Sequence, residues 1–474
     1  MLQFCPTRQI VAQSNIVFYH TENFYNAAAY NPAALVHQKD FTLNVFPLSG
    51  TGISFNNRDA IDKLVQITFT DKYTDKTQEV FRSIIKKDLS YNHVEFDLLN
   101  FGINTPNGSF NFHVKEKAYA FMRYGSQFSR FLADTVQSET LALNQEQSFP
   151  TEAAHLREYS VGYASELVKN KLTFGVRAKL YLGKSFLSSS ASGMMIEQEG
   201  NFFAKSYGDV FLSVPATDDS QNGTISEINV MNGKSIADYV LNTGNTGVGL
   251  DLGITYKINP QVEFTASILD LGSIKWKKYL YQLNFDDGLY QIENVHLDPN
   301  TNELIKETSE VNLIDDIAAL YTISNTKTSH QTQLPTTLLA GLNYKFSPEW
   351  SIGVVNRTLL IKNMGYNSFA ALANYRKSEN LTLIGGIGFY DSTLKNIPLG
   401  LTYQWRAAQF FLGTDNFLSF FAPKFSDYTS INVGIDFNLF GPKLKYEEVD
   451  YLPFFRKKKQ RRVRPNGLLF KGIN

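Results

Sequence analysis

The feature that most constrains this chain is a two-residue alternation of apolar and polar side chains, held over stretches too long for an ordinary soluble sheet. In residues 171–183, Leu172, Phe174, Val176, Ala178, Leu180 and Leu182 fall on one face of an extended chain. Thr173, Gly175, Arg177, Lys179, Tyr181 and Gly183 fall on the other. In 246–257, Val248, Leu250, Leu252, Ile254 and Tyr256 oppose Gly247, Gly249, Asp251, Gly253 and Thr255. In 430–440, Ile431, Val433, Ile435, Phe437 and Leu439 oppose Asn432, Gly434, Asp436 and Asn438. Strands of soluble sheets usually run about five or six residues, whereas about 9–11 tilted residues cross a bilayer. The polar face is rich in glycine and carries charge, as the inside of a barrel with a wet or plugged lumen would be. A soluble β-sandwich also alternates, so the alternation by itself leaves that architecture open.

The connections favour the barrel. Short turns are expected near 105–108, 167–170, 258–261, 346–349, 376–380 and 406–408. Other connections lie between them, several much longer: 125–154, 184–244, 273–334, 362–365, 391–396 and 414–428. Short and long broadly alternate, as periplasmic turns and outer loops do in outer-membrane barrels. Tyr256, Tyr344, Phe346, Trp350, Tyr375, Tyr403, Trp405 and Phe440 cluster beside the short turns and would form an interfacial girdle.

Strands are expected at 41–55 (kinked at Pro47 and Gly50), 92–104, 109–123, 156–166, 171–183, 246–257 and 261–271. They continue at 335–346, 350–361, 366–376, 380–390, 397–405, 408–413 and 430–440. The fold class is thus all-β, a transmembrane antiparallel β-barrel of 14 strands, with twelve or sixteen as near alternatives. In 92–104 the apolar phase slips between Leu98 and Leu99, which signals a β-bulge. Residues 194–212 read as an extra hairpin turning at Gly200-Asn201. Residues 58–67, 79–88 and 311–321 read as helical loop insertions capping the outer mouth.

Composition excludes other classes. No run of about 18 apolar residues exists, so helical spans are ruled out. The single cysteine, Cys5, excludes an internal disulfide and a Cys-rich metal site. Residues 1–13 lack the apolar core of a signal peptide, although Val11-Ala12-Gln13-Ser14 would suit the end of one, and they read as a degenerate or truncated signal. Residues 14–40 form a plug segment, 41–440 the barrel and 441–474 a basic periplasmic tail. That tail carries Arg456, Lys457, Lys458, Lys459, Arg461, Arg462 and Arg464. In a cytosolic protein such a run would suit nucleic acid. After a last barrel strand, an anchor or an anionic-lipid contact suits it better, and no nucleic-acid partner is expected.

Catalytic and metal patterns are not found. Gly244-x-x-Gly247-x-Gly249 lies inside a strand pattern, so its glycines read as small lumen-facing residues rather than a nucleotide loop. Asp218-Asp219-Ser220-Gln221-Asn222-Gly223 starts like a calcium loop, but its twelfth position is Asn229 rather than a bidentate Glu. None of the seven histidines are spaced i, i+4. The expectation is a non-enzyme without cofactor or metal.

Asn31-Pro32-Ala33, within the Ala27–Leu35 segment just before the first strand, resembles the N-terminal motif of FadL-type hydrophobic-substrate channels and their PorV-type relatives. Asp270-Leu271-Gly272-x-Ile274-x-Trp276 resembles a segment of large barrels related to that group. The resemblance covers roughly 20–440. It implies a 14-stranded barrel in the outer membrane of a Gram-negative bacterium, plugged by its N-terminal segment. Some such relatives pass hydrophobic molecules and others serve protein secretion. The expected function is therefore a plugged channel for small hydrophobic molecules, with a structural or secretion-accessory platform as the alternative. Expected partners are outer-membrane lipid, a small hydrophobic ligand, or a secretion or periplasmic protein. An apolar pocket beneath the outer loops would favour transport, and a lumen packed by charged side chains would favour the platform. By the alternation, Phe174, Val176, Leu250, Leu252, Val433 and Ile435 face lipid, and Arg177, Lys179, Asp251, Glu263 and Asp436 face the lumen. Residues 20–38, rich in small side chains, fold back inside the barrel near its periplasmic end, with Asn31 hydrogen-bonded to the wall.

Overall fold

The structure, a computed structural model, describes residues 16–37, 41–47, 49–56, 89–123, 147–148, 150–190, 192–198, 201–214, 239–285, 290–297, 304–306, 321–325, 329–390, 393–421 and 428–439. Fourteen antiparallel strands close into a barrel. They are β1 (Phe41–Val45 continued by Thr51–Asn56), β2 (Leu89–Thr105), β3 (Gly108–Arg123), β4 (Thr151–Val168) and β5 (Leu172–Ser189). Next come β6 (Asn245–Lys257), β7 (Val262–Trp276), β8 (His330–Gln333 continued by Thr336–Lys345), β9 (Trp350–Ile361) and β10 (Met364–Arg376). The set ends with β11 (Leu381–Tyr390), β12 (Thr393–Asn396 continued by Leu399–Trp405), β13 (Ala408–Thr414) and β14 (Tyr428–Leu439). Closure is made where β1 pairs with β14, Phe41 opposite Leu439 and Ile53 opposite Ile431. Closing the sheet leaves no edge to template aggregation.

The alternation sets which way each side chain points. On β5, Thr173, Arg177 and Lys179 are buried towards the lumen, while Phe174 and Val176 lie on the outer face and Leu180 is exposed there. Val161, Val248, Leu271, Ile352, Leu412 and Val433 continue that exposed apolar band around the wall. The six short turns cluster at one rim, and the other rim carries the remaining connections, most of them longer but β9–β10 joined by two residues. Trp350 stacks on Tyr375 at 4.5 Å beside the turn rim, where Tyr403 and Trp405 are also exposed.

Three departures from the simple pattern shape the wall. The phase slip in β2 is a bulge between Asp97 and Leu99. Strands β4, β5 and β7 run on past the ends that their alternation suggests, to Thr151, Ser189 and Trp276. On β5 the reason is an extra residue, Lys184, at the bulge opposite His155/Leu156, which reverses the β5 phase beyond Gly183, while β4 keeps one phase from Thr151 onward. On β7 it is Asp270, held at a positive φ of 60°, which places Leu269 and Asp270 both inward. Asp tolerates this left-handed conformation better than most residues because its short side chain bonds locally; here the Asp270 amide donates to Asp251 Oδ1 at 2.7 Å.

Above the loop rim, Val210–Ser213, Leu280–Phe285 and Tyr321–Asn325 extend the wall. A separate five-stranded sheet is assembled from Gln147–Ser148, Ser192–Gln198, Asn201–Tyr207, Tyr290–Leu297 and Leu304–Lys306. Its 192–198 and 201–207 arms are the hairpin expected around Gly200-Asn201. The helical insertions expected at 58–67, 79–88 and 311–321 lie outside the described residues, except Tyr321, which opens a strand. Residues 1–13, the Asp218–Asn229 segment and the basic run Arg456–Arg464 also lie outside them. No described helix is long and apolar enough to cross a membrane.

Beneath the loop rim the lumen is filled by an apolar layer: Tyr119, Phe121, Leu156, Tyr181, Phe186, Ile274, Trp276, Leu359, Ile361 and Tyr366. Trp276 is fully buried, stacked on Phe186 at 4.4 Å, with its indole N–H donated to Thr332 Oγ1 at 3.0 Å. It fits because Gly183 faces it: a Cβ there would lie 2.4 Å from the indole ring. Trp276→Ala is expected to destabilise the barrel by about 3–5 kcal/mol, the usual result of emptying a buried aromatic site. Denaturant unfolding in detergent, followed by circular dichroism, measures that loss.

Candidate functional site

Towards the turn rim, the described part of the N-terminal segment, residues 16–37, occupies the lumen. Val17, Phe18, Ala33 and Leu35 are fully buried. Small 3-10 helices at Ala27–Ala29 and Pro32–His37 keep the segment compact. Proline at the first position of the second helix fits, since its missing N–H would be unpaired there anyway.

The wall receives the segment on lumen-facing glycines. Gly175 and Gly253 are direct cross-strand partners on β5 and β6. A Cβ on Gly253 would lie 2.0 Å from Asn31 Oδ1, and one on Gly175 would lie 2.3 Å from the Ala33 nitrogen. In this notch Asn31 Nδ2 donates to the Ile254 carbonyl at 3.0 Å, and Asn31 Oδ1 accepts from the Ala33 N–H at 3.0 Å. The Asn-Pro-Ala triplet thus turns on its own side chain and binds wall backbone with what remains. Gly400 and Gly413, partners on β12 and β13, seat Val17 and Phe18. Gly341 and Gly353, on β8 and β9, seat the His20 ring. Strand alternation shows these glycines to face inward; what they receive is visible only in three dimensions.

Hydrogen bonds hold the leading end. Asp415 Oδ1 accepts from the N–H groups of both Ile16 and Val17 at 3.0 Å, and Tyr428 donates to its other oxygen at 3.2 Å. Gln409 accepts from the Tyr25 N–H at 2.9 Å and donates to the Asn23 carbonyl at 2.8 Å. Glu22 pairs with Lys345 at 2.7 Å and Arg376 at 3.4 Å near the turn rim.

Between the plug and the apolar layer lies a layer of charges on β2 to β7. Lys179 Nζ lies 2.5 Å from Asp270, 2.8 Å from Asp251 and 3.5 Å from Glu158. Lys117 bridges Glu158 at 2.6 Å and Asp270 at 3.0 Å. Lys115 lies 3.1 Å from Glu95 and 3.5 Å from Asp97, which His113 also meets at 2.8 Å. Tyr181 donates to Asp270 at 2.6 Å. Arg177 links layer to plug, with Nη1 3.3 Å from Asp251 and Nη2 donating to the Ala28 carbonyl at 2.9 Å. A cavity of about 90 Å³ remains between plug and layer, lined by Ile16, Asn26, Tyr30, Glu95, Lys115, Arg177 and Asp270 among others. On the facing wall Leu339, Val355, Ala370, Leu372, Ile384 and Phe411 pack against the plug's Ile16, Val17 and Phe18, and the buried Arg357 of β9 also lines the cavity, donating to Thr337 at 3.4 Å.

Of the residues singled out from sequence, Arg177, Lys179 and Asp251 meet in this layer. Asp436 stands apart, accepting from Asn44 at the kinked first strand at 2.5 Å. Glu263 points inward near the turn rim opposite Asn343, away from the layer. Lys115, Lys117, Glu95 and Glu158 are not among the residues singled out, and Asp270 is named only within the Asp270–Trp276 segment, not as a lumen-facing charge. The signal for Glu158 is its position opposite Lys179's neighbours on an alternating strand; for Glu95 and Asp270 a bulge in their own strand hides it. The segment from Asp270 to Trp276 spans two layers: Asp270 is the hub of the charges, and Ile274 and Trp276 anchor the apolar layer. Between them Gly272 touches the neighbouring strand, where a Cβ would lie 2.2 Å from the Val248 carbonyl. Among the described residues no cluster of three or more metal-type ligands occurs.

Fold and lumen together define a plugged, closed β-barrel. The chain belongs to the family described as "Family of unknown function (DUF5723)", whose pattern matches residues 32–415. No curated protein matches it. Among solved structures, it is similar to the Pseudomonas putida toluene transporter TodX, with 12% identity, 87% of this chain and 94% of that chain covered, and a TM-score of 0.39. The Ralstonia pickettii toluene transporter TbuX gives 12% identity, 87% and 93% coverage and 0.38. A Pseudomonas aeruginosa FadL homologue gives 7% identity, 91% and 99% coverage and 0.39.

Gly175→Val is expected to leave the wall closed but expel the Asn31–Ala33 turn. Limited proteolysis between Phe24 and Leu35 should then become fast, while the parent resists. The His20 contact of the dock should also weaken in acid. Burial lowers the His20 pKa from 6.5 to about 4, opposed in part by its hydrogen bond to the Val354 carbonyl. The folded ring therefore resists a proton that the released ring takes up. Its contribution to docking is fully present above about pH 6.5 and is lost as pH falls through about 4. Burial raises Asp415 to about 7, which acts with the opposite sign, so the His20 contribution is read by difference: between pH 7 and 4 the parent's proteolysis should gain more on the acid side than that of His20→Gln.

Proposed function

We propose that this chain is an outer-membrane conduit, closed at rest, that takes up small hydrophobic molecules. The observation carrying this reading is the order of the layers in the lumen. An apolar, aromatic-rich layer lies directly beneath the outer loops, above a charged layer and a non-covalently seated plug. The aromatic layer offers apolar side chains to a small molecule arriving from outside. The apolar layer is packed rather than an open pocket, and the charged layer beneath it is the feature expected of a platform; the conduit reading requires both layers to part, which paired charges permit. Buried ion pairs add little stability compared with apolar packing of the same volume, and the layers above and below are packed apolar. Charges confined to the middle can hydrate when the plug shifts, which an apolar filling cannot. The exposed apolar band around the wall supports a lipid setting, with the short-turn rim and plug on the periplasmic side.

A second reading, a platform for a secretion or periplasmic protein, is favoured by the five-stranded sheet that three separate loops assemble above the rim.

Ligand binding separates the two. Trp350→Phe/Trp405→Phe leaves Trp276 as the sole tryptophan, since the chain has three. Titration of the folded protein in detergent with naphthalene should then change Trp276 fluorescence saturably. A flat titration, together with a stoichiometric protein partner purified from native membranes, would instead establish the platform.

A further inference from the structure

The loop end of the lumen is closed by direct contact between distant parts of the wall. The β9–β10 hairpin turns in two residues, Lys362 and Asn363, with φ of 50° and 61°. Both positive values mark a tight hairpin turn in which asparagine is common and lysine unusual. In that conformation Lys362 reaches across the lumen to β4 and β5. Its Nζ lies 2.6 Å from Ser188 Oγ and 3.5 Å from Glu152 Oε2. Glu152 is itself buried and accepts from Tyr119 at 2.8 Å. Leu359, Ile361 and Tyr366 of the hairpin complete the apolar layer against Phe121 and Leu156.

We propose that this hairpin is the gate of the outer mouth, with Lys362 as its latch. The proposal rests on the reading that the apolar layer receives cargo, and it names what controls access to it. Two features suit the hairpin to move. Its outer face carries a polar cluster, Asn356, Thr358 and Asn367, with Thr358 donating to Asn367 at 2.7 Å and only Leu360 exposed as an apolar side chain between the cluster and the turn. The latch itself is one hydrogen bond and one partly exposed ion pair, weak enough for ions and water to compete. The plug and this gate would be two seals in series, one at each end of the charged layer.

The test reads access directly. In a Cys5→Ser background, Leu156→Cys places a single thiol in the apolar layer, where the native side chain is buried. Labelling of the folded protein by a small water-soluble maleimide should be at least tenfold faster with Lys362→Met or Glu152→Gln added. Lys275→Met, on the outer face of β7, should leave the rate unchanged. The latched protein itself should label faster as salt rises to about 1 M, a comparison that needs no latch variant to fold. Labelling rates indifferent both to Lys362→Met and to salt would overturn the gate. Naphthalene binding is a separate readout. Faster labelling without binding keeps the gate and removes the uptake reading, whereas binding with indifferent labelling removes the gate alone.

Discussion

Closure of the wall is the constraint on which everything else depends. Once β1 pairs with β14, every strand has two neighbours and the backbone has no open edge. A barrel of eight strands can be filled by its own side chains, whereas a wider one leaves a lumen. Fourteen strands therefore create an interior that the chain must fill by other means. It does so in three ways at three heights. The plug fills the turn end, paired charges fill the middle, and wall-to-wall apolar contact fills the loop end. The plug and the apolar layer both need side-chain volume removed elsewhere. Gly175 and Gly253 make room for Asn31-Pro32-Ala33, Gly400 and Gly413 for Val17 and Phe18, and Gly183 for Trp276.

The middle layer is the least economical of the three in stability and the most informative about function. Charges brought out of water cost several kcal/mol each before pairing recovers the loss. Here pairing is dense: Asp270 alone meets Lys117, Lys179 and Tyr181. It does so from a positive-φ bulge, a conformation that costs of order 1–2 kcal/mol. A strand running straight through would send residue 270 to the outer face. The strain thus places the carboxylate where two lysines require it.

Much of this was legible in the sequence, for a physical reason. A wall strand has one apolar environment outside and a different one inside, so its pattern is written every second residue. That gave the fourteen strands, the inward Arg177, Lys179 and Asp251, and the bulge in 92–104. Legibility fails where the period fails. Lys184 sits in a bulge, so the β5 wall seemed to end at Gly183 although it continues to Ser189. Asp270 sits in another, which hid both its direction and the five further residues of β7. Glycine is the other limit. Alternation says that Gly175 and Gly253 face the lumen, but nothing local says that they are cross-strand partners or that a proline presses against them. The same holds for Lys362 and Glu152, more than two hundred residues apart and joined only by the curvature of the wall.

Residues 16–37 are a folded part of the lumen rather than a leader outside it. Amide hydrogen exchange of the intact protein in a bilayer or detergent tests it most directly. The amides of Ile16 and Val17, bonded to Asp415, and of Tyr25, bonded to Gln409, should be protected to a degree comparable with the wall strands. Exchange of these three at the rate of a free peptide, with the wall still protected, would contradict it.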